Sequence, residues 1–108
     1  MAKWLLIAKT NCADAAREAE FNEWYDKIHL PDVLETPGFI KATRYEDTKP
    51  VEGEAKFIAT YEIEADDIDE AMETLEDNID KKRAKGRMSE LLDLVSLCTY
   101  KQVSSLSK

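Results

Sequence analysis

The sequence predicts a single α+β domain whose elements follow the order βαββαβ. Two observations support this prediction: four β-rich segments alternate with two amphipathic helical segments in that order, and no repeat, low-complexity segment or linker interrupts them. A chain of 108 residues is long enough for one domain and too short for two. Its apolar fraction of 44% and charged fraction of 35% are typical of globular chains.

The first strand is predicted over residues 3–9, where apolar side chains occupy both faces. One face carries Trp4, Leu6 and Ala8, and the other carries Leu5 and Ile7. A strand of this kind is covered on both sides in the folded protein. The apolar run is also too short for the core of a signal peptide, so we expect a cytoplasmic protein.

The first helix is predicted to begin after the short polar side chains of residues 11–14, which can cap free backbone N–H groups. Its buried stripe contains Phe21, Trp24, Tyr25 and Ile28, spaced at i, i+3, i+4 and i+7. Because proline disfavours the α conformation in the residue before it, Pro31 should end or bend this helix at Leu30. A new short helix is expected over residues 31–35, followed by a turn at residues 37–38.

The second strand is predicted over residues 39–47. Strict alternation would place Phe39, Thr43 and Tyr45 on one face and Ile40, Ala42 and Arg44 on the other. Residues 48–54 contain Pro50 and Gly53 and form a loop. The third strand covers residues 57–63, with Phe57, Ala59, Tyr61 and Ile63 on one face.

The second long helix is predicted to be capped by Asp66 and to end near Gly86. Its buried stripe consists of Ile68, Ala71, Met72, Leu75 and Ile79. Acidic residues at its start and the cationic run of residues 81–85 at its end both complement the helix dipole. The fourth strand follows over residues 94–103, and residues 104–108 form a tail.

These elements predict a ferredoxin-like arrangement, a four-stranded antiparallel sheet with two helices on one face. The strands carry apolar side chains on both faces, so the face without helices would be a large exposed apolar patch. We therefore expect a homodimer in which two sheets pack face to face.

The charge of the chain excludes several partner classes. Fifteen basic against 23 acidic residues give a net charge of −8, so we expect no nucleic acid and no anionic membrane as partners. No apolar run approaches the length of a membrane span. The single histidine rules out a four-ligand Cys/His zinc site within one chain, and we expect no metal and no cofactor. The two cysteines should be reduced, with Cys98 buried as a small apolar side chain.

A family resemblance rests on residues 21–34, FNEWYDKIHLPDVL, followed by Pro-Gly-Phe at 37–39 and Ala-Thr-Arg-Tyr at 42–45. This pattern resembles the EthD-like branch of the dimeric α+β barrel superfamily, in which Trp-Tyr, His-x-Pro, Pro-Gly and Arg-Tyr recur in that order. The rest of the chain is similar only in the order of its elements. The resemblance implies a two-chain barrel over residues 1–108 with a small apolar pocket between the sheet and the helices of each chain. The superfamily includes cofactor-free oxygenases, polyketide cyclases, lactone isomerases and haem-binding enzymes.

His29 is the candidate general acid/base, because its unperturbed pKa is the only one near neutrality. Tyr25 lies one helical turn earlier and is expected to hold or polarise a substrate oxygen. A helix N-terminus at Pro31 would keep the imidazole neutral, and Asp26 or Asp32 could either orient the ring or raise its pKa. The alternative is a structural histidine that hydrogen-bonds a backbone carbonyl.

Three further residues are candidates for substrate binding: Trp24 as a pocket wall, Tyr61 through its hydroxyl, and Arg44. Arg44 either pairs with an acidic neighbour or binds a substrate carboxylate. The chain has a single histidine, so it cannot be matched to the cyclases of this superfamily that use two pocket histidines. Haem-degrading members use an Asn-Trp-His set, and no second constellation beside His29 supports a haem site.

The sequence thus predicts a homodimer that binds a small apolar or aromatic molecule. The expected activity is that of a cofactor-free cyclase, isomerase or oxygenase acting on an aromatic or polyketide-like compound. The competing interpretation is a non-catalytic binding module or an accessory subunit of a larger complex.

Overall fold

The structure, a computed structural model, describes residues 1–108 and has the predicted ferredoxin-like fold. The strands are β1 Ala2–Cys12, β2 Phe39–Glu46, β3 Phe57–Ala65 and β4 Leu92–Lys101. They form one antiparallel sheet in the order β2-β3-β1-β4. The helices are α1 Glu18–Trp24, α2 Leu30–Leu34 and α3 Ile68–Ala84. No helix is both long enough and apolar enough to cross a membrane.

The core lies between the helices and the inner face of the sheet. All four residues that the sequence assigns to one face of β3 are buried there, which confirms that prediction: Phe57, Ala59, Tyr61 and Ile63. Phe21 of α1 packs onto this layer and is fully buried, with its ring 5.9 Å from that of Phe57. The aromatic stripe predicted for the first helix therefore does face the sheet.

A bulge near the start of β2 changes which residues face the core. Phe39 pairs with Ile63 and Ala42 pairs with Tyr61, so an extra residue is accommodated between Phe39 and Lys41. The prediction that Phe39 and Ala42 lie on opposite faces is wrong, because a bulge breaks the two-residue alternation. Beyond the bulge the alternation holds: the Arg44 side chain points inward and Tyr45 is exposed on the outer face.

Of the two alternatives predicted for the first helix at Pro31, the helix does not end there, and the expected short helix is present as α2. A short 3₁₀ turn at Ala15–Arg17, capped by the Asp14 carboxylate, leads into α1. A π-helical turn, Tyr25–His29, then joins α1 directly to α2, and the Leu30 N–H donates to the Tyr25 carbonyl five residues back. Leu30 keeps α-helical angles, so the chain accommodates the proline by widening one turn rather than by ending the helix.

The cap of α3 is Asp67, whose carboxylate accepts from the N–H groups of Asp69 and Glu70, and not Asp66 as predicted. Gly86 adopts φ +74° just after the helix, as expected of a helix stop. The inward stripe of α3 is confirmed, since Ala71 and Leu75 are buried and Ile68, Met72 and Ile79 pack against the core.

The fourth strand starts and ends two residues earlier than predicted, and residues 102–108 follow it without regular structure. Cys98 is exposed, so the prediction that it is buried is wrong. It pairs with Ile7 on the outer face, where the sheet has no covering helices within this chain. Cys12 and Cys98 are both free thiols.

Candidate functional site

A cavity of about 810 Å³ lies between the inner face of the sheet and α3. Helix α3 is anchored to the other helical segment rather than to the sheet. The Asn78 side-chain amide donates to the Asp32 carbonyl and to Thr36 Oγ1, each at 2.9 Å. The cavity is therefore bounded by α3 on one side and by β1, β3 and β4 on the other, and most of its lining residues are apolar. Its volume falls in the range of small-molecule sites.

The wide turn Tyr25–His29 points His29 into this cavity. The imidazole is stacked on Trp24, with ring centres 4.8 Å apart, and meets the Tyr25 ring edge to face at 4.9 Å. His29 is 8% exposed. Its ring nitrogens make no hydrogen bond within the chain and are not sealed from solvent, so they are free to meet a ligand.

The pKa of His29 is lowered from 6.5 to about 4: burial has the largest effect, the charge of Asp32 opposes it and that of Arg44 adds to it. The imidazole is therefore neutral at physiological pH, as predicted. The predicted cause is wrong, because α2 continues directly from the preceding turn without a free N-terminus at Pro31 and desolvation has the largest effect. Neither carboxylate orients the imidazole through a hydrogen bond: Asp26 pairs with Arg44 at 2.9 Å, and Asp32 pairs with Arg87 at 2.7 Å. The other alternative, a carboxylate that raises the pKa of His29, describes the direction in which Asp32 acts, and burial outweighs it.

Tyr25 and Tyr61 bring two phenol hydroxyls together at the cavity wall. Their oxygens lie 3.5 Å apart, and the two side chains are 1% and 2% exposed. Burial raises the pKa of both phenols, most strongly that of Tyr61. Both hydroxyls therefore stay protonated and can donate to an oxygen placed in the cavity.

Arg44 and Trp24 stand behind these residues and do not line the cavity. The Arg44 guanidinium lies 4.3 Å from the centre of the Tyr25 ring and donates to Asp26 and Asn22. This geometry matches the first alternative for Arg44, pairing with an acidic neighbour. The Trp24 indole N–H donates to the Arg87 carbonyl at 2.8 Å, so Trp24 supports the imidazole from the side away from the cavity.

An ion pair between Arg87 and the buried carboxylate of Asp32 fixes the loop that follows α3. Arg87 donates to both carboxylate oxygens of Asp32, at 2.7 and 3.0 Å, and Asp32 is 2% exposed. This contact lowers the pKa of Asp32. Together with the bond from Trp24 it holds the loop, including the cavity residue Met88, against α1 and α2. The sequence analysis missed Arg87, because nothing in the local pattern marks the partner of a residue 55 positions away.

Thr10 is a second residue that the sequence analysis missed. It belongs to the cavity wall and is 1% exposed, and its hydroxyl is buried without a hydrogen-bond partner. The predicted strand ended at residue 9. Leu6 and Ala8 face inward, and continuing the two-residue alternation of the strand would have placed Thr10 on the same face. The structure holds no group of three or more His, Cys, Asp or Glu side chains placed to bind a metal ion.

The fold and the cavity define the class of protein. No protein-family model matches the chain, and no curated protein does. Solved structures match over nearly the whole chain, and they include an EthD family protein from Bacillus halodurans, with 21% identity over 95% of this chain and 100% of that one and a TM-score of 0.60. The chain therefore has the ferredoxin-like fold of the dimeric α+β barrel proteins, which confirms the resemblance at the level of fold.

Two other solved structures illustrate the range of this class. The haem degrader MhuD from Mycobacterium tuberculosis, with two haems bound in its active site, has 19% identity over 96% of this chain and 99% of that one, with a TM-score of 0.64. SnoaB, a cofactor-independent oxygenase from Streptomyces nogalater, has 14% identity over the full length of both chains and a TM-score of 0.60. At these identities the likeness concerns the fold alone.

Proposed function

We propose that this protein is a cofactor-free enzyme that binds a small, mostly apolar compound in the cavity and uses His29 as general acid/base. The observation that carries the proposal is an unpartnered neutral imidazole facing an apolar cavity beside two phenol donors. The resemblance in sequence and the cofactor-independent chemistry of SnoaB support it.

The step we propose is proton transfer at a carbon next to a carbonyl. A ring nitrogen of His29 takes the proton, and the C–H electron pair moves into the carbonyl to form an enolate. Tyr25, with Tyr61 beside it, donates a hydrogen bond to the enolate oxygen. The imidazolium then returns the proton to another atom of the substrate, which completes an isomerisation or follows ring closure. Deprotonation of an electron-rich aromatic is also the first step of the oxygenase alternative.

The low pKa of His29 narrows the range of substrates that it can deprotonate. An imidazole with a pKa of about 4 is ready to accept a proton throughout the physiological range but is a weak base. It therefore suits substrates with acidic C–H or O–H groups, such as 1,3-dicarbonyl compounds and activated phenols. Such groups occur in polyketide-like and aromatic molecules, the class that the sequence predicts.

Trp24, Arg44 and Tyr61 have distinct roles in this proposal. Tyr61 contacts the substrate oxygen together with Tyr25. Trp24 and Arg44 are positioning residues, because each packs against a catalytic ring from behind: Trp24 on His29 at 4.8 Å and Arg44 on Tyr25 at 4.3 Å.

The functional unit in this proposal is a homodimer formed by the outer sheet faces. Three large apolar side chains on that face are about half exposed: Ile40, Tyr45 and Tyr100. The accessible surface of the chain is 7260 Å², whereas a compact monomer of 12.3 kDa has about 6,100 Å². The outer face, the open cavity and the tail provide this excess, and pairing of two outer faces would cover the first of them. The free thiols support the cytoplasmic location that we propose for the dimer.

Sedimentation equilibrium tests the dimer. Wild type should sediment at twice the chain mass, and Tyr45→Glu should sediment as a monomer because a carboxylate would be buried between the sheets. The matched control Val51→Glu introduces the same charge in the loop before β3 and should leave the dimer intact. A monomeric wild type would refute the pairing of outer faces.

Thermal melting against aromatic, quinone, lactone and polyketide-like compounds tests the function. A ligand at about 100 times its Kd stabilises the protein by about 2.7 kcal/mol, a shift in Tm of roughly 10–20 °C for a domain of this size. A stabilising compound that is also turned over should lose turnover with His29→Gln while its binding persists. If His29→Gln keeps full turnover, the mechanism is wrong. If no compound binds, the interpretation as an interaction module or accessory subunit replaces it.

A further inference from the structure

The mouth of the cavity is acidic. Four carboxylate side chains of α3 line it at a spacing that keeps them on one face of the helix: Asp69, Glu73, Glu76 and Asp80. The one cationic side chain among the lining residues is Arg83, and its guanidinium donates to Asp80 at 2.7 Å. Glu73 and Glu76 have no cationic partner in the chain. A ligand that enters past α3 therefore meets a negative potential.

The interior of the same cavity is apolar rather than acidic. His29 is 92% buried, from its exposed fraction of 8%, and its neutral ring faces the cavity with no hydrogen bond to the chain. Leu6, Ala8 and Val33 form apolar wall around it. An unpartnered polar group in an apolar interior indicates a ligand that carries one polar atom at its inner end and an apolar body behind it.

Haem, which the fold neighbour MhuD binds, does not fit this cavity. Side chains that can ligate iron are present there, His29 among them, but haem also carries two propionates that need cationic partners. The mouth offers carboxylates instead, and its single guanidinium is already paired. The charge of the mouth thus opposes haem and any other ligand with exposed carboxylates.

We infer that the cavity takes an organic cation or an uncharged compound and excludes carboxylates, with Glu73 and Glu76 as the specificity-determining residues. An amine at the outer end of the ligand faces the two glutamates, while a hydroxyl or carbonyl at its inner end meets His29. This inference rests on the proposed function, since it concerns the ligand of the same site. The inference narrows the proposed class of substrates to amine-bearing or neutral aromatic compounds.

Three probes of one shape and different charge test the inference: naphthylmethylamine, naphthalenemethanol and naphthoic acid. Binding is followed at low ionic strength by isothermal titration calorimetry, which does not depend on the absorption of the naphthalene ring. The amine should bind at least about tenfold more tightly than the acid, because each nearby carboxylate contributes on the order of 1 kcal/mol even in water. The preference should shrink as salt is added, since these carboxylates are exposed.

A pair of double variants isolates the cavity mouth from the net charge. Glu73→Gln/Glu76→Gln should reduce the preference for the amine severalfold. Glu70→Gln/Asp77→Asn changes the net charge equally on residues of α3 that do not line the cavity, and should leave the preference unchanged. Equal effects of the two double variants would overturn the assignment of Glu73 and Glu76.

The outcomes separate this inference from the proposed function. Naphthoic acid binding as tightly as the amine would refute the inference and leave the small-molecule site standing. Absence of binding by all three probes would refute the site and the inference together. A haem titration provides the last arm: a Soret shift in wild type that disappears in His29→Gln would overturn the exclusion of haem.

Discussion

Lowering the pH from about 7 to about 5 should destabilise the folded protein chiefly through His29. It is the single histidine of the chain, and its pKa falls from 6.5 to about 4 on folding. The unfolded chain therefore binds a proton that the folded chain resists, so this stability is present above about pH 6.5 and is lost as the pH falls toward 4. With these two pKa values the loss amounts to about 2 kcal/mol between about pH 7 and pH 5.

Urea unfolding at several pH values and one fixed protein concentration measures this loss. A decrease of about 2 kcal/mol corresponds to a midpoint lower by roughly 1 M, for an m-value near 2 kcal/mol/M. His29→Gln removes the titrating group, so its midpoint should change little over the same range. An NMR titration of the imidazole in wild type gives the folded pKa directly. A value near 6.5, or a pH dependence that survives in His29→Gln, would refute the reasoning.

In two further pairs of substitutions, the two members of each pair should differ clearly in their effect on stability. Gly38 and Gly53 both have φ +88°, but a Cβ at Gly38 would lie 2.7 Å from a backbone carbonyl oxygen whereas Gly53 has open space. Gly53→Ala should lower the free energy of unfolding by about 1 kcal/mol and Gly38→Ala by at least about 1 kcal/mol more, as urea unfolding would show. Thr10 and Thr36 are each 1% exposed, but only the Thr36 hydroxyl has a partner, Asn78. Thr36→Val should cost about 1–2 kcal/mol while Thr10→Val is neutral or stabilising, and equal effects would contradict the absence of a partner for Thr10.

The sequence predicts the fold well wherever one periodicity runs without interruption. The alternation of β3 from Phe57 to Ile63 and the stripe of α3 from Ile68 to Ile79 identify the buried faces. Two of the errors fall where the backbone takes in one extra residue, at the bulge of β2 and in the π-helical turn. Such an insertion leaves the local residue types unchanged, so neither propensity nor hydrophobic pattern reveals it.

The sequence predicts the side chains of the candidate site better than the cavity that they line. His29, Tyr25 and Tyr61 do meet at one cavity, and the motif in residues 21–45 indicated the first two. The cavity itself could not be predicted. Met72, Leu75 and Ile79 form an ordinary amphipathic stripe. Such a stripe shows which face of a helix avoids water, but it does not show whether that face packs against other side chains or lines a cavity.

The π-helical turn Tyr25–His29 has a consequence for how the helical segments before and after it are linked. One residue advances an α-helix by about 100°, so the widened turn offsets everything after it by that angle relative to a regular helix. The segment before the turn can hold Phe21 on the sheet while the segment after it buries Val33 and Asp32 against other partners. The residues after the turn can thus be repacked without moving Phe21, whereas His29 itself stays tied to α1 through its stacking on Trp24.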